Sequence, residues 1–194
     1  MQLIDKVNML KKVNKSYFTS DDLCKILKLK KASLKKNLWR MVKRRVINRV
    51  ARDVYILAEQ GIDIKKIASQ LYAPYAYISF ESALSTYGII NQVPYAVTMA
   101  TYKSPRVRTF FVTEIILRKI KRELFFGYRL VDDILIAEAE KALLDTLYLK
   151  SKGLTDLPEE ELNLGEINKK KFLKMSKYFP KNVQREARRL VERF

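Results

Sequence analysis

The sequence predicts an α+β fold, and three observations predict it. Apolar residues recur at helical spacing through the first 45 positions and give way at once to a short β-rich stretch, INRVARDVYIL. Runs rich in β-branched and aromatic residues, VTMATY, RTFFVT, ELFFGYRLV and DILIA, then stand between helical segments. Positive charge, finally, is concentrated at the two ends of the 194-residue chain, whose formal net charge is +18. Residues 1–60 hold 16 Lys and Arg against 5 Asp and Glu, residues 61–165 hold 13 against 13, and residues 166–194 hold 10 against 3. The pattern predicts a nucleic-acid-binding head over 1–60, an α+β domain over 61–194 with a small antiparallel sheet, and a basic helical tail over 166–194. The boundary is set at Ala58-Glu59-Gln60-Gly61.

In the head, Leu3, Val7 and Leu10 predict a helix over about 2–15. Thr19 can cap a second helix, with Asp22 in its first turn and Leu23, Ile26 and Leu27 as its apolar stripe. A tight connection, 28–30, leads to a third helix over about 31–45, whose core face is Leu34, Leu38, Met41 and Val42. At about 100° per residue, Ser33, Lys36, Arg40 and Lys43 gather on the opposite face. Two short strands follow around Arg52-Asp53. Helix, helix, basic helix and hairpin, in that order, make a winged helix-turn-helix, a module that places its third helix in the major groove and its hairpin over the phosphates. Asn37 and Arg40 carry the chemistry for bidentate base contacts, the lysines Lys30, Lys31, Lys35, Lys36 and Lys43 that for phosphate contacts, Ser33 and Arg44 belong to the same candidate DNA-binding set, and Arg49 and Arg52 are the expected wing contacts. A merely solvated helix face is the alternative, and it does not explain why the charge opposite the core has one sign. Trp39 is expected to pack against the wing or the first helix, and Cys24 to be a small, partly buried helix residue.

In the second region, Asp63 can cap a helix with the stripe Ile64, Ile67, Ala68 and Leu71, which ends before Pro74. The segment SFESALSTYGII, 79–90, reads as another helix: Ser79 as N-cap, Glu81 in the first turn, Gly88 as a left-handed stop. Strands VTMATY and RTFFVT join around 103–106, and ELFFGYRLV and DILIA turn near Asp132-Asp133. A helix from Glu138 to Lys152 ends at Gly153. The tail gives two helices broken at Pro180, with Phe172, Met175, Ser176 and Phe179 on one stripe and Val183, Ala187, Leu190, Val191 and Phe194 on the next. Lys169, Lys170, Lys174, Lys177, Arg185, Arg188 and Arg189 are left on exposed faces, either as a secondary basic surface for DNA or an acidic partner, or as solvated decoration.

Catalytic chemistry finds little support. The chain has no histidine and a single cysteine, Cys24, so zinc sites and the commonest general base are excluded. SFES offers serine without a base, in neither a histidine pairing nor a Ser-x-x-Lys spacing. Glu138 and Glu140 stand about 200° apart on a helix, too divergent to share a metal with Asp145, and no glycine-rich phosphate loop is present. No catalytic residue, metal or cofactor is expected, and a metal-dependent nuclease using Glu138 or Glu140 is the rival reading. No hydrophobic run reaches the roughly 18 residues of a membrane span. A soluble protein of the reducing cytoplasm, with no membrane partner, is the expectation.

AYISFESALSTYGII, LFFGYRL and IAEAEKALLDTLYLK together resemble the AbiEi antitoxin family of bacteria and archaea, and the resemblance runs through nearly the whole chain. It implies a type IV toxin-antitoxin system, in which the head represses its own operon at an operator in double-stranded DNA. The rest of the chain would counter a nucleotidyltransferase-like toxin. The toxin's own Gly-Ser and Asp-x-Asp pattern is absent, since the aspartate doublets here are Asp21-Asp22 and Asp132-Asp133. A solitary winged-helix regulator or architectural protein, without toxin, is the alternative.

Overall fold

The computed structural model describes residues 2–13, 15–59 and 61–192. It is a mixed α+β chain that divides into two compact units, Met1–Ile67 with Thr109–Val112, and Ala68–Arg108 with Thr113–Phe194. Asn14 in the first expected helix, Gln60 at the expected boundary and Phe194 at the end of the tail stripe lie outside the described residues.

The first unit begins with α1 (Leu3–Val13), α2 (Ser20–Ile26) and α3 (Lys31–Lys43), followed by the hairpin strands β1 (Ile47–Ala51) and β2 (Val54–Leu57). Thr19 starts α2 with a reciprocal cap: its hydroxyl accepts from the Asp22 N–H at 3.1 Å, and the Asp22 carboxylate accepts from the Thr19 N–H at 3.0 Å. Partial burial works to raise the Asp22 carboxyl, but the Thr19 N–H and Lys15 outweigh it and hold the group below its ordinary value. Helices α2 and α3 end alike. At the end of α2 the Leu29 N–H reaches back to the Cys24 carbonyl at 2.9 Å around Lys28, which has φ 49°. At the end of α3 the Val46 N–H reaches the Met41 carbonyl at 2.9 Å around Arg45, which has φ 51°. Between α1 and α2, Phe18 pairs as a single bridge with Tyr55 of β2, N–H to carbonyl in both directions at 2.7 and 2.8 Å. Beneath these elements lies one apolar core: Leu10, Phe18, Leu23, Leu27, Leu38, Met41, Ile47, Tyr55 and Leu57.

The remaining elements are α4 (Ile64–Tyr72), β3 (Ala76–Ile78), α5 (Phe80–Thr86), β4 (Ala96–Thr101), β5 (Arg106–Phe110), β6 (Thr113–Lys119), β7 (Tyr128–Val131), β8 (Ile134–Ala137), α6 (Ala139–Lys150), α7 (Lys169–Ser176) and α8 (Lys181–Val191). The antiparallel pairs β3–β4 and β7–β8 belong to a wider sheet of order β5-β6-β4-β3-β8-β7, and that sheet is mixed, because β4–β6 and β3–β8 run parallel. The extra width comes from two strands that sequence reading passes over, β3 and β6. RTFFVT is not one strand: Phe111 takes φ 54° in its middle and turns the chain without a glycine or proline to announce it. ELFFGYRLV likewise shortens to YRLV, since Arg122–Leu124 is a turn of 3-10 helix and Gly127 has φ 70°. Asp132 and Asp133, at φ 49° and 65°, make the two-residue turn between β7 and β8. Helix α6 is enclosed: every residue from Glu140 to Leu149 is buried, against α5, α7, α8 and β8.

Candidate nucleic-acid interface

Helix α3 sorts its residues by chemistry. Leu38 and Met41 are buried, Leu34 and Val42 pack at the core's edge, and Lys31, Lys35, Lys36, Arg40 and Lys43 are exposed. Lys30 precedes the helix without a side-chain cap, and Arg44 follows it as the C-cap, both exposed. On the hairpin, Arg49 of β1 and Arg52 of the turn are exposed as well. Among the described residues, Lys30, Lys31, Lys35, Lys36, Arg40, Lys43, Arg44 and Arg49 form no ion pair with any carboxylate. Eight cations therefore keep their full demand for anions on the surface of a single module.

Three residues of this helix stand differently from expectation. Asn37 is half-buried and both ends of its amide are engaged: Oδ1 accepts from Lys6 Nζ at 2.8 Å, and Nδ2 donates to the Ser33 carbonyl at 2.9 Å. A bidentate contact to a base edge requires both to be released. Ser33 is half-buried, its hydroxyl donating back to the Lys30 carbonyl at 3.0 Å. Trp39, expected to pack against the wing or α1, is instead 61% exposed, with Lys43 Nζ 4.9 Å from its ring centroid. The correction has a simple geometric source: Trp39 is one residue past the core position Leu38, and about 100° of helical rotation carries it out of the core stripe. Cys24 is partly buried, its thiol donating to the Leu29 carbonyl at 2.9 Å.

The tail's basic residues divide. Lys170, Lys174, Lys177, Arg185 and Arg188 are exposed and, among the described residues, unpaired; Lys169 is exposed too. Arg189 is exposed too but paired, donating to Glu159 Oε2 at 2.7 Å and to Glu186 at 2.5 Å. Burial works to raise the Glu159 carboxyl, but Lys150 first, with Glu186 and Arg189, outweighs it and holds the group below its ordinary value. The Arg189 charge is thus shared with two carboxylates of its own chain, unlike those of its unpaired neighbours.

The second unit conceals its most concentrated chemistry. Lys141 and Asp145, four residues apart on α6, are both fully buried and in contact. Lys141 Nζ also donates to Tyr77 Oη at 2.8 Å, while Tyr77 Oη and Ser79 Oγ donate to Asp145 Oδ2 at 2.9 and 2.8 Å. The ammonium is ringed by aromatics, its Nζ 5.4 Å from the Tyr77 centroid and 5.3 Å from those of Phe126 and Phe179. Burial pushes the Lys141 ammonium down and the Asp145 carboxyl up; their mutual contact opposes both shifts, and the Ser79 and Tyr77 hydroxyls oppose the second. Burial and then the neighbouring carboxylate drive the Tyr77 hydroxyl well above its usual value. Gly127 makes the space: a Cβ there would lie 3.1 Å and 3.2 Å from the Lys141 stem and 2.5 Å from the Met175 methyl. SFES, FFGY and EKALLD, distant in sequence, meet in this one cluster.

Ser79 therefore corrects its own prediction. It occupies the N-cap position of α5, yet its hydroxyl makes no capping bond, because it is committed to Asp145. Thr98 of β4 takes over the task, its hydroxyl accepting from the Ser82 N–H at 3.1 Å and donating to the Ser79 carbonyl at 2.8 Å. The left-handed residue of this strand-to-helix turn is Phe80, φ 55°, a fully buried ring rather than a nucleophile. Glu81 is held by Arg118 at 2.7 and 2.9 Å. At the other end of α5, Gly88 with φ 65° lets the Ile89 N–H return to the Leu84 carbonyl at 2.9 Å, the stop that the sequence announces.

The two glutamates weighed as metal ligands are also nearer than helical spacing implies. Glu138 lies outside α6 as its extended N-cap, so the rotation of about 200° does not apply, and Lys171 bridges Glu138 at 3.0 Å and Glu140 at 3.1 Å. Both line an open cleft of about 240 Å³ with Tyr87, Arg129, Ala139, Glu166 and Lys171. Among the described residues, no group of three or more His, Cys, Asp or Glu side chains is placed to hold a metal ion. No helix among them is long and apolar enough to cross a membrane.

Sequence reasoning missed Lys141, Tyr77 and Gly127. A signal was present for Lys141: in AEKALLDTLYLK, one lysine and one aspartate sit four apart in a helix otherwise apolar around most of its circumference, which marks a buried helix and hence a buried pair. No protein-family model matches this sequence, and no curated protein matches it.

Proposed function

We propose that the chain is a DNA-binding transcriptional autorepressor and antitoxin, acting by contact rather than by catalysis. The observation that carries the reading is the exposed face of α3, a row of cations without internal counter-charge opposite a well-filled core. The order of elements supports a winged helix-turn-helix: α1, the Phe18 bridge to the hairpin, α2, α3, then β1 and β2. In that module α3 lies in the major groove with Lys36, Arg40 and Lys43 toward the DNA, while Arg49 and Arg52 ride over the backbone. The antitoxin half rests on the resemblance to the AbiEi family; its partner is a nucleotidyltransferase-like toxin met by the second unit and tail.

The DNA half is tested by fluorescence anisotropy with duplex DNA from upstream of the chain's own reading frame. Binding is expected to weaken steeply with salt, by about 0.9 in log-log slope for each phosphate neutralised. Replacing Lys36, Arg40 and Lys43 together with Ala abolishes binding while leaving the unfolding transition in place. Unchanged affinity refutes the assignment of α3. The antitoxin half is tested by co-expression with a nucleotidyltransferase-like neighbour: growth rescue that requires this chain supports it, and unrelieved toxicity refutes it.

A further inference from the structure

Trp39 is the sole tryptophan of the chain and the most conspicuous exception to the sorting on α3. Indole is the largest apolar side chain, and its exposure to water wastes burial that most proteins use. The core of the first unit has a complete apolar rim in Leu3, Met9, Ile26, Leu29, Leu34, Val42 and Val46, and Trp39 is not part of it. The ring stands among cations: Lys36 and Lys35 are three and four residues before it, Lys43 four after, all exposed and all neighbours on the helix surface. Lys43 leans on the ring at 4.9 Å. An apolar surface fenced by unpaired lysines repels a basic partner, and a purely apolar one would offer those lysines no counter-charge. It suits a partner that is anionic at its edges and apolar within.

Duplex DNA has that character in its major groove, where phosphates border the groove and the C5 methyl of thymine is the one apolar group on the base edges. We propose that Trp39 is a specificity-determining residue of this interface, its indole covering thymine methyl groups while Lys35, Lys36 and Lys43 meet the flanking phosphates. The assignment rests on the DNA-binding reading above and gives it a chemical preference: dT over dU at the covered positions, with the ring's lysine neighbours supplying affinity that ignores sequence.

Removing only the methyl isolates the effect. The full chain is titrated with a short alternating dA-dT duplex and with the matching dA-dU duplex, which differ by nothing but that methyl. The expected result is about fourfold weaker binding to the dU duplex for each methyl covered, together with a change in the Trp39 emission on adding the dT duplex. Trp39→Ala keeps its circular dichroism, binds the dT duplex at least about fivefold more weakly, and no longer distinguishes dT from dU. Equal affinity of the unaltered protein for the two duplexes overturns the proposal, as does discrimination that survives in Trp39→Ala. Either result leaves the DNA-binding reading standing, since both duplexes are then bound; failure to bind any duplex overturns that reading and this proposal with it.

Discussion

Charge is handled in opposite ways at the two ends of this molecule's repertoire. Inside the second unit, Lys141 and Asp145 are fully buried, and every polar atom of the pair has a neighbour in Tyr77, Ser79 or each other. On α3, five lysines and an arginine if Lys30 is counted with the helix, none of them paired, point into solvent. A buried charge must be satisfied where it lies or the fold gives way, whereas an exposed one costs the fold little and remains free to act on something else. The first arrangement therefore helps to hold one structure, whereas the second leaves charge available to the DNA partner proposed above.

The largest expected effect tests the first half of that contrast. Asp145→Ala leaves an ammonium buried among three aromatic rings with one hydroxyl for company, and is expected to cost about 3–5 kcal/mol. Urea unfolding of the full chain followed by circular dichroism measures it. Lys141→Met combined with Asp145→Leu removes both charges and should return most of the loss, because apolar groups of similar volume replace a pair whose desolvation was costly. Lys36→Ala, Arg40→Ala and Lys43→Ala, by comparison, each stay within about 0.5 kcal/mol of the parent. A loss under about 1 kcal/mol in Asp145→Ala would erase the distinction between the two sites.

Next in size is the glycine that accommodates the lysine stem. Gly127 and Gly88 share a left-handed backbone, at φ 70° and 65°, but a Cβ at Gly88 meets nothing within 4 Å, whereas one at Gly127 meets Met175 and Lys141. Gly88→Ala is expected to cost about 1 kcal/mol, the backbone preference alone. Gly127→Ala adds the crowding of a packed interior, for about 2–4 kcal/mol in all. Made in a Met175→Ala background and compared with that variant alone, Gly127→Ala should cost less, because the closest contact is gone and only the pressure on Lys141 remains. Equal costs at the two glycines would show that the lysine stem yields freely.

These contrasts also explain how much was legible in advance. The helix starts and stops at Thr19 and Gly88 were legible because each depends on residues within five positions of one another, and so was the exposed basic face of α3, which follows from rotation about one axis. Strand β6 was not, because the turn at Phe111 uses an ordinary residue at positive φ, and the parallel neighbours of β4 and β3 come from segments far along the chain. The hydroxyl of Ser79 has the right position for a cap and a better partner 66 residues away. Local chemistry proposes such roles, and long-range contacts decide among them. Trp39 failed the other way: helical rotation already placed it off the core stripe, and the general habit of burying tryptophan concealed what the geometry said.

The smallest expected effect separates fold from function most sharply. Lys28 and Arg45 hold the left-handed positions just past α2 and α3, where glycine pays no steric penalty, and both are exposed. Lys28→Gly and Arg45→Gly should each stabilise the first unit by up to about 1 kcal/mol, the strain of a side chain at positive φ being relieved at the expense of a freer unfolded chain. If these positions keep cations because the surface meets phosphate, each substitution also lowers the log-log salt slope of DNA binding by about 0.9 for the contact it deletes. Stability and affinity then move in opposite directions in one variant, measured by urea unfolding and by anisotropy across a salt series. A variant that gains stability and keeps the parent's salt slope would confine the DNA-facing charge to α3 and the hairpin, and would leave the cation at that helix end as simple solvation.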